Sequence, residues 1–159
     1  MNSPQLEDFA TYYLISPWND QLLPDLLCFA LLGTLWGTGY LIVARVLGKP
    51  KAPCLVGFLL AVVLLGGSVV RVAQIARARD SLGQGSVVAG LVFVKHQQPL
   101  NGHGGDDVIS IAGVDFALNW FSYSLGYNRT LAHGGILRDG VYVKVFHIGG
   151  RILRIDALQ

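Results

Sequence analysis

Two apolar stretches, Leu26 to Ala44 and Ala52 to Val70, stand back to back with only Arg45-Val46-Leu47-Gly48-Lys49-Pro50-Lys51 between them. Neither stretch contains Asp, Glu, Lys, Arg or His. Each covers 19 residues, and at about 1.5 Å of rise per residue a helix of that length nearly crosses a hydrocarbon core of roughly 30 Å. The pattern predicts a transmembrane helical hairpin. Helical character continues from Arg71 to about Leu82 as a juxtamembrane extension, and Gly83 and Gly85 end it.

From Ser86 the period changes to two. Ser86 to Lys95 is rich in valine, Val108 to Ile111 is short and apolar, and Val114, Phe116, Leu118 and Trp120 alternate with Asp115, Ala117 and Asn119. Asp139-Gly140 precedes Val141, Val143 and Val145, and Gly149-Gly150 is a hairpin turn into Arg151 to Asp156. These runs predict a small all-β domain. So small a sheet protects its edges best by curling, which favours an OB-like or SH3-like barrel.

The expected layout is therefore an amino-terminal interfacial segment over 1–21, a transmembrane hairpin over 22–82 with a basic loop at 45–51, and a β-domain over 83–159. Ser3 and Pro4 suit a helix start, and Tyr12, Tyr13 and Trp18 suit a lipid boundary, where aromatic rings anchor. A secretory signal needs a basic start and a small-residue cleavage site. Met1 to Asp25 has no Lys or Arg, so both apolar helices are read as retained.

Composition agrees: 52% of residues are hydrophobic and only 14% charged, with a mean hydropathy of +0.49, unusual for a soluble domain. The net charge of +2 is too weak a field for nucleic acid. Arg45, Lys49, Lys51, Arg71, Arg77 and Arg79 collect around the hairpin, where they are expected to meet lipid headgroups. Three cations in the loop and none in the amino-terminal flank place the loop in the cytoplasm and both termini outside, with Arg71, Arg77 and Arg79 pulling the other way. In a bacterial inner membrane, outside means periplasm.

Within the spans, Gly33 with Gly37 and Gly57 with Ala61 are small residues four apart at matching depth. Such faces let backbones approach closely, either within the hairpin or against a partner helix or second copy. The absence of charge inside the runs argues against a transporter or proton relay.

The segment Gly134-Gly135-Ile136-Leu137-Arg138-Asp139-Gly140-Val141-Tyr142-Val143-Lys144, at the end of a two-helix-plus-β layout, resembles small bacterial two-span membrane proteins with a carboxy-terminal β-domain. In layout alone the chain is similar to NfeD-type proteins, which tether an OB-fold to the membrane. The resemblance implies a membrane-tethered module and brings no catalytic residue with it.

Candidate chemistry is sparse. His96, His103, His133 and His147 lack zinc-ligand spacing. His103 with Asp106 and Asp107 is the one weak metal or catalytic grouping, and a glycine-rich loop explains it equally well. Ser122 and Ser124 lack a nucleophile setting, and no pattern asks for a cofactor. Trp120, Phe121, Tyr123 and Tyr127 crowd eight residues, and alternation cannot bury all of them on one face. The rings either close the end of a barrel or form a docking surface for another protein. Three functional expectations follow: a non-catalytic membrane-anchored interaction module using those aromatics; an accessory or immunity-type subunit joining a larger membrane complex through its helices; and a metal-dependent enzyme using His103, Asp106 and Asp107.

Overall fold

The computed structural model describes residues 9–48 and 52–158. The expected helix start at Ser3-Pro4 and the cations Lys49 and Lys51 lie outside the described residues. The chain divides into two compact units: Asp20–Ala76, and the segment up to Asn19 together with Arg77 onward.

The first unit is the hairpin, α1 (Leu22–Leu47) and the greater part of α2 (Ala52–Asp80). Asp20 starts α1 by accepting the Leu23 N–H at 2.8 Å, satisfying one of the donors a helix start leaves open. Gly48, at φ +64°, ends it by donating its N–H to the Ala44 carbonyl. The buried positions are mostly small: Ala30, Gly37 and Ala44 on α1 and Gly57, Ala61 and Ser68 on α2, with Leu23 and Ile75 buried as well. At the crossing, a Cβ added to Gly33 would lie 3.2 Å from the Gly57 carbonyl, and one added to Gly57 would lie 2.7 Å from the Trp36 ring. Outward, Leu31, Leu35, Ile42, Leu59, Val63 and Val69 are exposed. Both helices are long and apolar enough to cross a membrane, yet only 17% and 22% of their apolar windows are buried. A core helix of a soluble globule would be mostly covered by protein.

The second unit holds a six-stranded, wholly antiparallel sheet in the order β1-β6-β5-β2-β3-β4. Its strands are β1 (Phe9–Leu14), β2 (Ser86–His96), β3 (Asp107–Ile111), β4 (Val114–Leu118), β5 (Tyr142–Ile148) and β6 (Arg151–Leu158). Five of them fall on the runs of period two. The sixth, β1, lies inside the segment 1–21 expected at the interface, whose residues 1–8 lie outside the described residues: Tyr13 packs edge-on against Tyr127 at 5.1 Å, while Tyr12 and Trp18 are exposed.

The long strand β2 serves both halves of the sheet. Residues 86–91 pair with β5, and 92–96 pair with β3. The order β5-β2-β3-β4 is a Greek key, three hairpin-linked strands with the fourth returning by the long segment 119–141 to lie beside the first. Val92, Ile109, Ile111, Phe116, Val143, Val145, Ile152 and Ile155 form one core, which Tyr127 and Leu137 from the long segment complete.

β1 and β6 flank the hairpin in sequence and pair in one sheet, with Phe9 opposite Leu158. If the helices cross a bilayer, that pairing requires an even number of crossings. The two spans satisfy it together, and a single inserted helix would break it.

Candidate functional site

The crowded aromatics lie on the connection that leaves β4, and a buried carboxylate fixes their base. Asp107, 1% exposed at the start of β3, accepts the Gln98 N–H at 2.5 Å through Oδ1 and the Leu131 N–H at 2.6 Å through Oδ2. One side chain thus pins the β2–β3 loop and the 3-10 turn Leu131–His133 to the same strand end. Gln98 is itself fully buried, and its Oε1 accepts the Trp120 N–H at 3.2 Å.

On this base the rings are ordered. Trp120 stacks on His133 at 4.7 Å with planes 5° apart, and Phe121 meets His133 edge-on at 5.7 Å. The Thr130 hydroxyl and His133 Nδ1 are 2.8 Å apart, which fixes the imidazole. Gly102, at φ +72°, lies under Phe121, where a Cβ would come within 2.5 Å of the ring. Phe121 and Tyr123 are left 56% and 54% exposed, and Trp120 half-buried.

Tyr127 departs from the expected docking role. It is buried in the core, and its hydroxyl accepts the Ile136 N–H at 2.9 Å. Burial pushes its phenol pKa above 10.0, and the Ile136 hydrogen bond partly opposes that shift.

His103, Asp106 and Asp107 do not converge. His103 is exposed, with its N–H donated to Asn101 Oδ1 at 3.1 Å, and Asp106 accepts the Asn119 side-chain amide at 2.7 Å. Asp107, at the start of β3, is buried, whereas Asp106, just before it, is partly exposed. Among the described residues, no three His, Cys, Asp or Glu side chains are grouped to hold a metal ion.

Arg45 is exposed at the end of α1, as are Arg77 and Arg79 on the last turns of α2. Arg71 is not. Its guanidinium is buried against Asp20, with Nη2 2.7 Å from Oδ2 and Nε 3.1 and 3.0 Å from the two oxygens. A cation expected to reach headgroups is instead held by the carboxylate that starts α1, because the pair solvates both charges beside apolar surface. Sequence reasoning misses this pair, whose members stand 51 positions apart. The available signal is partial: Arg71 directly follows one apolar run, but two acids, Asp20 and Asp25, precede the other, and the sequence does not choose between them.

A second surface also escapes sequence reasoning. Val87, Leu91 and Phe93 are exposed on the outer face of β2, since a strand this rich in valine reads as buried on both sides. Comparison with known protein families, curated proteins and solved structures finds no match to this chain.

Proposed function

We propose that this is a membrane-anchored, non-catalytic interaction module that presents a small OB-like β-domain at the bilayer surface and engages another protein through Trp120, Phe121 and Tyr123. The observation that carries the reading is the exposure of Phe121 and Tyr123 on a base held by Asp107, Gln98 and His133. Exposed rings on rigid backbone lose little entropy on docking, which is why such residues serve as anchors. The Greek-key order and the long strand shared by two half-sheets support an OB-like rather than an SH3-like domain. The outward apolar faces of α1 and α2 support membrane insertion, and loop charge supports a cytoplasmic loop with the β-domain in the periplasm of a bacterial cell.

A helix-docked accessory subunit is the second reading. Gly33, Gly57 and Ala61 are used within the hairpin, so a partner helix would instead take the apolar groove lined by Phe29, Leu32, Val56 and Leu60. Photo-cross-linking residues installed at Phe121, at Leu60 and at exposed Arg138 separate the readings in native membranes. A protein adduct from position 121 alone supports the module. An adduct from position 60 alone transfers the function to the helices, and only lipid adducts at position 121 overturn the docking role.

A further inference from the structure

We propose that the free edge of β4 pairs with the same edge of a second copy, joining two sheets about a two-fold axis through Phe116. The two edges of the sheet differ. β1 is irregular, with its register shifting between Thr11 and Tyr13, whereas β4 pairs regularly with β3 along its whole length. Bulges, lysines and prolines are the usual protection of an edge against pairing. The sequence of β4, Val-Asp-Phe-Ala-Leu, has neither lysine nor proline.

Hydrogen-bond alternation identifies the free groups. The β3–β4 turn is the two-residue Ala112-Gly113, with φ +47° and +84°, so Ile111 and Val114 flank it as a hydrogen-bonded pair. The next such pair is Ile109 with Phe116, and then Asp107 with Leu118. Asp115 and Ala117 therefore point their N–H and C=O groups away from β3. Both residues are exposed, and among the described residues no group bonds these backbone atoms.

An antiparallel self-pair centred on Phe116 uses all of these groups. Asp115 of one copy exchanges two bonds with Ala117 of the other, and the symmetric pair repeats them. Val114 then faces Leu118, and the only charge, Asp115, meets a methyl group. Centring on Asp115 would bring two carboxylates together, and centring on Ala117 would pair Asp115 with Asn119, beyond the strand. The Asp115 charge is already met by Lys95 Nζ at 2.6 Å, which further lowers the cost of bringing the two edges together. This pairing is independent of a partner at Phe121.

The test is the molar mass of the full chain in detergent micelles, followed by dilution. The wild type is expected as a dimer. Ala117→Pro removes an outward N–H that β3 does not use, a place where an edge strand accepts proline; it is expected to weaken the dimer by at least about tenfold, with the circular dichroism of the sheet retained. Ala117→Asp and Ala117→Lys read the register without a backbone change. The aspartate faces Asp115 of the other copy and weakens the dimer, and the lysine faces the same carboxylate and strengthens it. A monomeric wild type at every concentration overturns the proposal, as does a dimer indifferent to Ala117→Pro. Charge variants that shift the equilibrium in the same direction also overturn it.

Discussion

The hairpin and the β-unit are packed in opposite senses. In the β-unit the buried side chains are large and branched, Phe116, Ile109, Ile155 and Val145 among them, with charges such as Arg129, Arg138 and Arg151 outside. In the hairpin most buried positions are small, Gly37, Gly57, Ala30, Ala44, Ala61 and Ser68, with Leu23 and Ile75 the large apolar exceptions, and most leucines and valines face outward. Water rewards burying apolar area and produces the first arrangement. It gives no account of the second. The lipid setting proposed above would, since helices in hydrocarbon gain nothing by hiding leucine and associate through close backbone contact. Buried carboxylates serve both units: Asp20 accepts the Leu23 N–H and neutralises Arg71, while in the β-unit Asp107 satisfies two backbone donors and Asp156 meets the Arg154 guanidinium.

The contrast breaks most sharply at the buried ion pair. Asp20→Ala or Arg71→Ala alone is expected to cost about 3–5 kcal/mol, because each removes one member of a buried ion pair. The double variant should recover part of that loss, so thermal unfolding of all four proteins in detergent yields the coupling. Next comes Asp107→Ala in the β-unit, which removes the acceptor of the buried Gln98 N–H and the part-buried Leu131 N–H. About 3 kcal/mol is expected, with amide exchange of Gln98 and Leu131 accelerating before that of the core strands. An unchanged exchange pattern would show that the carboxylate does not hold the base of the aromatic site.

Gly57→Leu should cost about 1–3 kcal/mol through the Trp36 ring and the Gly33 carbonyl. Gly66→Leu, where nothing lies within 4 Å of the added carbon, should cost far less by the same assay. The smallest effect is expected at alkaline pH. Tyr127 has its folded pKa raised above 10.0, so the protonated phenol favours the folded state. That contribution is full below the ordinary tyrosine range and is lost as pH rises through the higher folded value. Tyr127→Phe should therefore flatten the alkaline fall in stability, and tyrosinate absorbance should lose its last titrating step.

Much of this organisation is legible in the residues. Uninterrupted apolar runs give the two helices, and alternation with glycine turns gives β2 to β6 within a residue or two of their observed limits. β1 is not legible, since Phe9 to Leu14 is short and its partner, β6, lies at the far end of the chain. The aromatic site is half legible. Crowding of Trp120, Phe121, Tyr123 and Tyr127 announces that some rings stay outside, but only the fold reveals that Tyr127 is the one drawn inward. The acidic pair shows the same limit. Asp106 and Asp107 read alike in sequence, but Asp106, just before β3, accepts the part-buried Asn119 amide, while Asp107 at the start of β3 is buried against two backbone donors.

Fluorescence quenching by brominated acyl chains tests the solvent of the hairpin most directly. Trp36 is exposed near the middle of α1, and Trp120 is half-buried in the β-unit, so variants retaining one or the other tryptophan report on the two units separately. In reconstituted vesicles, bromines deep in the chains should strongly quench Trp36 and leave Trp120 nearly unaffected. An unquenched Trp36 in a protein that remains dispersed in detergent-free buffer would contradict the account.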